Sequence, residues 1–340
     1  MGSAPPLRPA APALAAVPGP RHGATAAVGH ALPWAAAVAA YFLVPDSLAL
    51  ATNVLVMVLL TLSLDLVLGY AGIVTLGHAV FFGAGAYAAG IFAIHVSPDP
   101  VTGLLVATAV TGAFGLLCGL LILHTEGVTL LMLTLAIASL VAEVANQAKS
   151  WTGGDDGLQG MTMGLVLGLF RFDLYKRTAY LYSLAVLFVW FVIAWRVVHS
   201  PFGRSLDGIR QSPARMRAIG TPVWGRLVVA YGLSAAMAGS AGALSAQTTR
   251  FVGLNTLSVM VSGMAVVMLV LGGTRRLYGA FIGAALYVVV QDVAAQVNPF
   301  YWMLVIGLLL MVSVLALEGG LMSLVDAVRR RLGGRREETK

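Results

Sequence analysis

Val54-Leu55-Val56-Met57-Val58-Leu59-Leu60-Thr61-Leu62-Ser63-Leu64-Asp65-Leu66-Val67-Leu68 carries one charge in fifteen residues and shows no alternation of apolar and polar positions. Joined to the apolar stretch that starts at Leu48, it reaches the length of about 20 residues that a helix needs to cross hydrocarbon. Inside a bilayer only helices and closed barrels satisfy their own backbone groups, and an unbroken apolar run is not a barrel strand. Similar runs recur between Gly, Pro and charge punctuation, near 31–44, 48–68, 77–95, 101–123, 128–147, 179–197, 226–246, 257–273, 278–296 and 299–317. The chain is 59% hydrophobic and 10% charged, against roughly 25% charged in soluble domains. An all-α membrane protein of about ten transmembrane helices, lodged in a lipid bilayer, is therefore expected.

Charge sets the expected orientation. The net charge is +7, but the basic residues sit in short loops between spans and in the tail, so membrane topology explains them and nucleic acid is not a partner. With both termini cytoplasmic, sixteen of the 21 Lys and Arg residues fall inside, and only Lys149, Arg171, Lys176, Arg177 and Arg250 fall outside. Residues 1–30 read as a disordered Ala- and Pro-rich cytoplasmic leader without signal-peptide character, 31–320 as the transmembrane domain and 321–340 as a basic cytoplasmic tail.

Catalytic chemistry finds little support. His-Glu-x-x-His and Gly-x-Ser-x-Gly patterns are missing, and Lys149, Lys176 and Lys340 are the only lysines, none placed in a phosphate-binding loop. His124 and Glu126 are too few to hold a metal, and Cys118 stands alone in an apolar run. No enzyme activity, cofactor or metal is expected, and ATP-driven work would need a second chain.

Two loops are long. Residues 198–225 place Arg204, Arg210, Arg215 and Arg217 among Phe202, Leu206, Ile209, Met216 and Ile219, a spacing that predicts a short amphipathic helix at the cytoplasmic surface. Residues 149–178, on the periplasmic side, contain Trp151-Thr152-Gly153-Gly154-Asp155-Asp156-Gly157, rich in turn formers. Between the second and third spans lies Leu68-Gly69-Tyr70-Ala71-Gly72-Ile73-Val74-Thr75-Leu76-Gly77-His78. Such glycine density serves either close helix packing or a broken helix facing a cavity. A second cluster, Leu271-Gly272-Gly273 with Gly279 and Gly283, hints at an internal repeat. Asp65, His78, Glu143 and Asp292 are the ionisable residues at membrane depth, where a charge costs at least about 2.5 kcal/mol. Glu143, Asn146 and Gln147 share a helix face just before the Thr152-Gly153-Gly154 turn. Each of these residues has a plain structural alternative, a helix end or a bond to a neighbouring helix.

In order along residues 45–320, five segments together resemble the LivM-type inner-membrane permeases of branched-chain amino acid ABC importers. They are Leu68-Gly69-Tyr70-Ala71-Gly72 with Leu76-Gly77-His78-Ala79; Thr152-Gly153-Gly154 with Gly157-Leu158; Ser200-Pro201-Phe202-Gly203-Arg204 with Ile209-Arg210 and Ala218-Ile219-Gly220; Ser234-Ala235-Ala236 with Ala238-Gly239 and Ala241-Gly242; and Leu271-Gly272-Gly273 with Tyr278-Gly279. The resemblance implies a multi-pass protein of the bacterial inner membrane. It implies as partners a second related permease subunit, two ATPase subunits and a periplasmic substrate-binding protein. It also makes the segment Gly203–Gly220 the ATPase-coupling element, with Gly203, Arg204, Ile209, Arg210, Arg215, Ala218 and Gly220 as candidates, although a positive topology anchor would use the same residues. The candidate substrate pathway comprises Asp65, Gly69, Gly72, Gly77, His78, Glu143, Asn146, Thr152, Gly153 and Gly154.

Two stretches depart from the family pattern. Gln211-Ser212-Pro213-Ala214-Arg215-Met216-Arg217 is basic where the family is acidic, and Asp155-Asp156 stand where Pro-Asn is common. The expected cargo is a branched-chain or other hydrophobic amino acid, with urea, amides or small carboxylates as alternatives. A proton-coupled secondary transporter using Asp65, His78, Glu143 and Asp292 is the rival mechanism.

Overall fold

The computed structural model describes residues 24–43, 45–164 and 177–297, together with isolated positions from 303 to 321. Most of the leader, residues 165–176 of the 149–178 loop, most of the span near 299–317 and nearly all of the tail lie outside the described residues.

The described chain is helical, with a lone bridge between Leu158 and Val252. The long helices are α1 (Ala24–Leu43), α2 (Leu48–Leu64), α3 (Ala79–His95), α4 (Pro100–Ile122) and α5 (Gly127–Gln147), followed by the single turn α6 (Lys149–Thr152). Then come α7 (Arg177–His199), the short α8 (Pro201–Gln211) and α9 (Pro213–Ala218), and finally α10 (Val223–Thr249), α11 (Val259–Gly272) and α12 (Gly279–Val297). Helix α2 continues as a π-helix over Asp65–Ala71. Six described helical segments are long and apolar enough to cross a membrane: Leu48–Ala71, Pro100–Ile122, Gly127–Gln147, Arg177–His199, Val223–Thr249 and Gly279–Val297. Pro33–Leu43, Ala79–His95 and Val259–Gly272 are shorter apolar helices. Helix α1 begins at Ala24, ahead of the start expected for the first span.

Start signals in the sequence account for several of these boundaries. Asp99 caps α4 by accepting the Thr102 N–H at 3.1 Å, with Pro100 in the first turn where its missing N–H is harmless. Ser200 caps α8 and Ser212 caps α9 in the same way, each followed by proline. Pro213 thus divides the expected amphipathic helix of the 198–225 loop in two, because proline ends α8 and is well placed to start the next helix.

Helix α10 is the axis of the bundle, packed on α2, α3 and α4. Lining it with small residues lets backbones approach closely, so dispersion contacts rather than a hydrophobic driving force hold the helices. Side-chain hydroxyls and amides tie the same interfaces: Ser234 donates to the Ser63 carbonyl (2.6 Å), Gln247 to the Pro100 carbonyl (2.8 Å), and Thr108 and Ser240 pair at 2.7 Å. In the most apolar window of each span, 78% of residues are buried for Leu48–Ala71 and Val223–Thr249 but 22% for Gly127–Gln147. The core therefore lies at α2 and α10, and α5 stands at its margin.

Candidate functional site

The candidate residues fall into two groups at opposite ends of the bundle. At the α8 end, α2 gives way to an unwound segment before α3, and the glycines there have separate roles. Gly69 sits one π-turn after Asp65, and a Cβ on it would lie 2.0 Å from Asp65 Oδ1; its bare backbone leaves room for that carboxylate. Gly72 adopts φ 77°, which closes the π-helix in a left-handed turn. The stem of Arg210 from α8 crosses that turn, with Arg210 Cγ 2.7 Å from where a Gly72 Cβ would be. Gly77 lies against the backbone of α5, with the Thr134 carbonyl oxygen 2.5 Å from its absent Cβ.

Asp65 is wholly buried and accepts the backbone N–H of Arg275 at 2.8 Å, while its Oδ2 has no hydrogen-bond partner among the described residues. His78 is also buried, its Nε2 2.8 Å from Ser63 Oγ. Because Ser63 already donates to the Leu60 carbonyl (2.6 Å), Nε2 is the donor of that pair.

Helices α8 and α9 lie across this end. Leu206 and Ile209 are buried in the bundle, Gly203 packs on the Val197 and Val198 carbonyls, and Arg204, Arg210, Arg215, Ala218 and Gly220 are exposed. A cavity of about 420 Å³ opens beside them, its wall formed by Ile73, Leu130 and Leu227 and its rim by Arg210 and by Arg217 paired with Glu126 at 3.3 Å.

At the other end, Glu143 is exposed and accepts from Gln147 Nε2 at 2.8 Å, so these two of the three residues expected to share a face are joined. Asn146 Oδ1 is buried without a hydrogen-bond partner among the described residues. Thr152 donates to the Ala145 carbonyl (2.6 Å) and accepts the Gly154 N–H (3.3 Å), tying the Gly153-Gly154 turn to the end of α5. The turn is held again by the Leu158–Val252 bridge (2.8 and 3.2 Å), and Asp155 and Asp156 remain exposed.

Asp65, His78, Glu143 and Asp292 do not form a chain. Each hydrogen-bonds elsewhere, Asp292 to Gln296 at 2.7 Å, and no hydrogen bond joins any two of them among the described residues. Sequence reasoning missed Ser63, Tyr70, Asp207 and Arg275 as partners at the α8 end. Asp207 sat unnoticed among the arginines of the amphipathic segment, and Arg275 counted only toward charge asymmetry.

A family model described as branched-chain amino acid transport system / permease component matches residues 47–314. The chain belongs to this family. The permease is 27% identical over 295 residues to the high-affinity branched-chain amino acid transport system permease protein LivM of Salmonella typhimurium, covering 80% of this chain and 69% of that protein. It is 26% identical over 292 residues to LivM of Escherichia coli, covering 79% and 68%. No solved structure matches. The resemblance carried by the glycine motifs is thus a family relationship, and the matched region of the permease contains both ends of the candidate site.

Proposed function

We propose that this permease forms half of the translocation pathway of an ATP-driven importer for branched-chain or other hydrophobic amino acids. A second related permease forms the other half, two ATPase subunits supply the work, and a periplasmic binding protein delivers the cargo. In this reading the permease crosses the inner membrane about ten times with both termini in the cytoplasm, as the excess of inside arginines favours. The α8 end is then cytoplasmic, and the Thr152-Gly153-Gly154 turn faces the periplasm.

One observation carries the proposal. The α8–α9 segment sinks Leu206 and Ile209 into the bundle, lays Arg210 across the Gly72 turn, and leaves Arg204 and Arg215 exposed. A lever of that form can take up a push from an ATPase and deliver it to the end of α2. The cargo route runs along the loosely packed α5, whose exposed face the second permease covers. The apolar wall of Ile73, Leu130 and Leu227 suits an aliphatic side chain near the exit.

Reconstitution of the permease with its partners in vesicles tests this. Arg215→Glu should lower transport per ATP hydrolysed, whereas uptake that persists without any ATPase, or that stops when only the proton gradient is collapsed, overturns the reading. The ligand bound by the cognate binding protein decides the cargo.

A further inference from the structure

Arg275 joins three elements through three different groups. Its backbone N–H is held by the Asp65 carboxylate (2.8 Å), its carbonyl accepts the Tyr70 hydroxyl (3.0 Å), and its guanidinium pairs with Asp207 of α8. The first two partners lie on the π-helical end of α2, the third lies on α8, and Arg275 itself stands in the turn between α11 and α12.

The local structure is arranged around this residue. Arg275 has φ 65°, a left-handed backbone that a side-chain-bearing residue adopts only when its surroundings compensate. The compensation is the pair of hydrogen bonds from α2. Asp65 makes its bond only because Gly69 has no side chain: the carboxylate fills the space a Cβ would occupy, and that same space lies 3.1 Å from the Arg275 nitrogen. On α8, Asp207 accepts from Arg275 through Oδ1 and from Gln211 through Oδ2 (3.1 Å). Asp207 and Arg210 stand three residues apart on one face, so α8 touches the end of α2 directly at Gly72 and indirectly through Arg275.

We infer that Arg275 is a positioning residue that passes movement of α8 to both the end of α2 and the α11–α12 turn. The inference rests on the coupling role proposed above for α8. Packed interiors transmit displacement rather than absorb it, and α2 is among the most buried spans of the bundle. A shift of Asp207 therefore moves the Arg275 turn, and with it Asp65 and Tyr70 at the π-helical end of α2. The Asp207 and Arg275 side chains are 31% and 42% exposed, so their pair contributes little to folding. Its use is to hold register between elements that are far apart in sequence.

The test uses the complete importer in proteoliposomes, reading ATP hydrolysis stimulated by the loaded binding protein together with transport per ATP. Asp207→Asn should leave the ATPase bound and hydrolysis stimulated but lower transport per ATP about tenfold. The exchange Asp207→Arg with Arg275→Asp should recover most of that loss; a purely structural role would instead lower assembly or stimulated hydrolysis along with transport. Normal coupling in Asp207→Asn, no recovery in an assembled exchange variant, or loss of the ATPase from Asp207→Asn overturns the inference. If Arg215→Glu uncouples while Asp207→Asn does not, the transmission role fails and the docking role stands. If Arg215→Glu is without effect, the docking role itself fails.

Discussion

A Cβ placed on Gly242 would lie 1.8 Å from the carbonyl oxygen of Phe82, so α10 and α3 meet backbone to backbone. Gly85 makes the reciprocal approach, with the Gly239 carbonyl oxygen 2.2 Å from its absent Cβ. Any side chain there must part the two helices, since the obstructing atoms are backbone. Overpacking of this kind costs about 1–3 kcal/mol or more. Gly242→Leu should lower the thermal unfolding midpoint of the detergent-solubilised permease, whereas Gly263→Ala, with open space around it, should not. Equal midpoints for the two variants would contradict the contact.

The Ser63–His78 pair links α2 to the start of α3 inside the protein. Ser63→Ala removes the acceptor and leaves a buried imidazole N–H unpaired, at a cost of about 1–3 kcal/mol. Ser63→Thr keeps the hydroxyl and should recover part of that loss. Chemical unfolding of the three proteins measures the difference, and an unchanged Ser63→Ala protein would mean that water replaces the bond.

Helix α5 exposes Leu140, Glu143 and Val144 together. A carboxylate facing lipid is unfavourable, so this face should be covered in the assembled importer. Cysteines placed at Leu140 or Glu143, together with cysteines scanned over the second permease proposed above, should form an intersubunit disulfide under mild oxidation. Cys118 is the only native cysteine and is buried, so it should not interfere. Free labelling of both positions by a bulky thiol reagent in the intact importer would place the face in lipid or water instead.

Gly153 has φ 77°, and a Cβ on it would lie 2.2 Å from the Gly157 carbonyl oxygen. Gly153→Ala therefore meets both an unfavourable backbone region and a backbone obstruction, together of order 1–3 kcal/mol. Because the turn is pinned to Val252 through Leu158, the damage should concentrate at that end of the bundle. Uptake that needs the binding protein should fall in this variant while basal ATP hydrolysis holds. A parallel fall in both would assign the turn a general stabilising role.

Both readings of the glycine motifs hold, at different positions. Gly85, Gly239 and Gly242 serve helix packing, Gly72 and Gly77 line the unwound segment, and Gly69 makes room for the Asp65 carboxylate. Asp65 stood out from sequence because an acid at membrane depth demands a partner. That partner, Arg275, is 210 residues away, and nothing local pointed to it. No hydrogen bond joins any two of the four ionisable residues among the described residues, and this too lay beyond the sequence: the residues were legible, but their partners were not.

From the sequence alone came the six long apolar helices, the charge asymmetry and the amphipathic α8, because each is a property of consecutive residues. Hydrocarbon requires long apolar helices, and α8 has one apolar face that must lie inward. Helices α2, α3 and α4 are apolar all round, so their residues do not specify which face meets which neighbour. Their rotation is set by close backbone approach and by a few buried hydrogen bonds. Only the tertiary structure could therefore bring Asp65, Tyr70 and Asp207 together around Arg275.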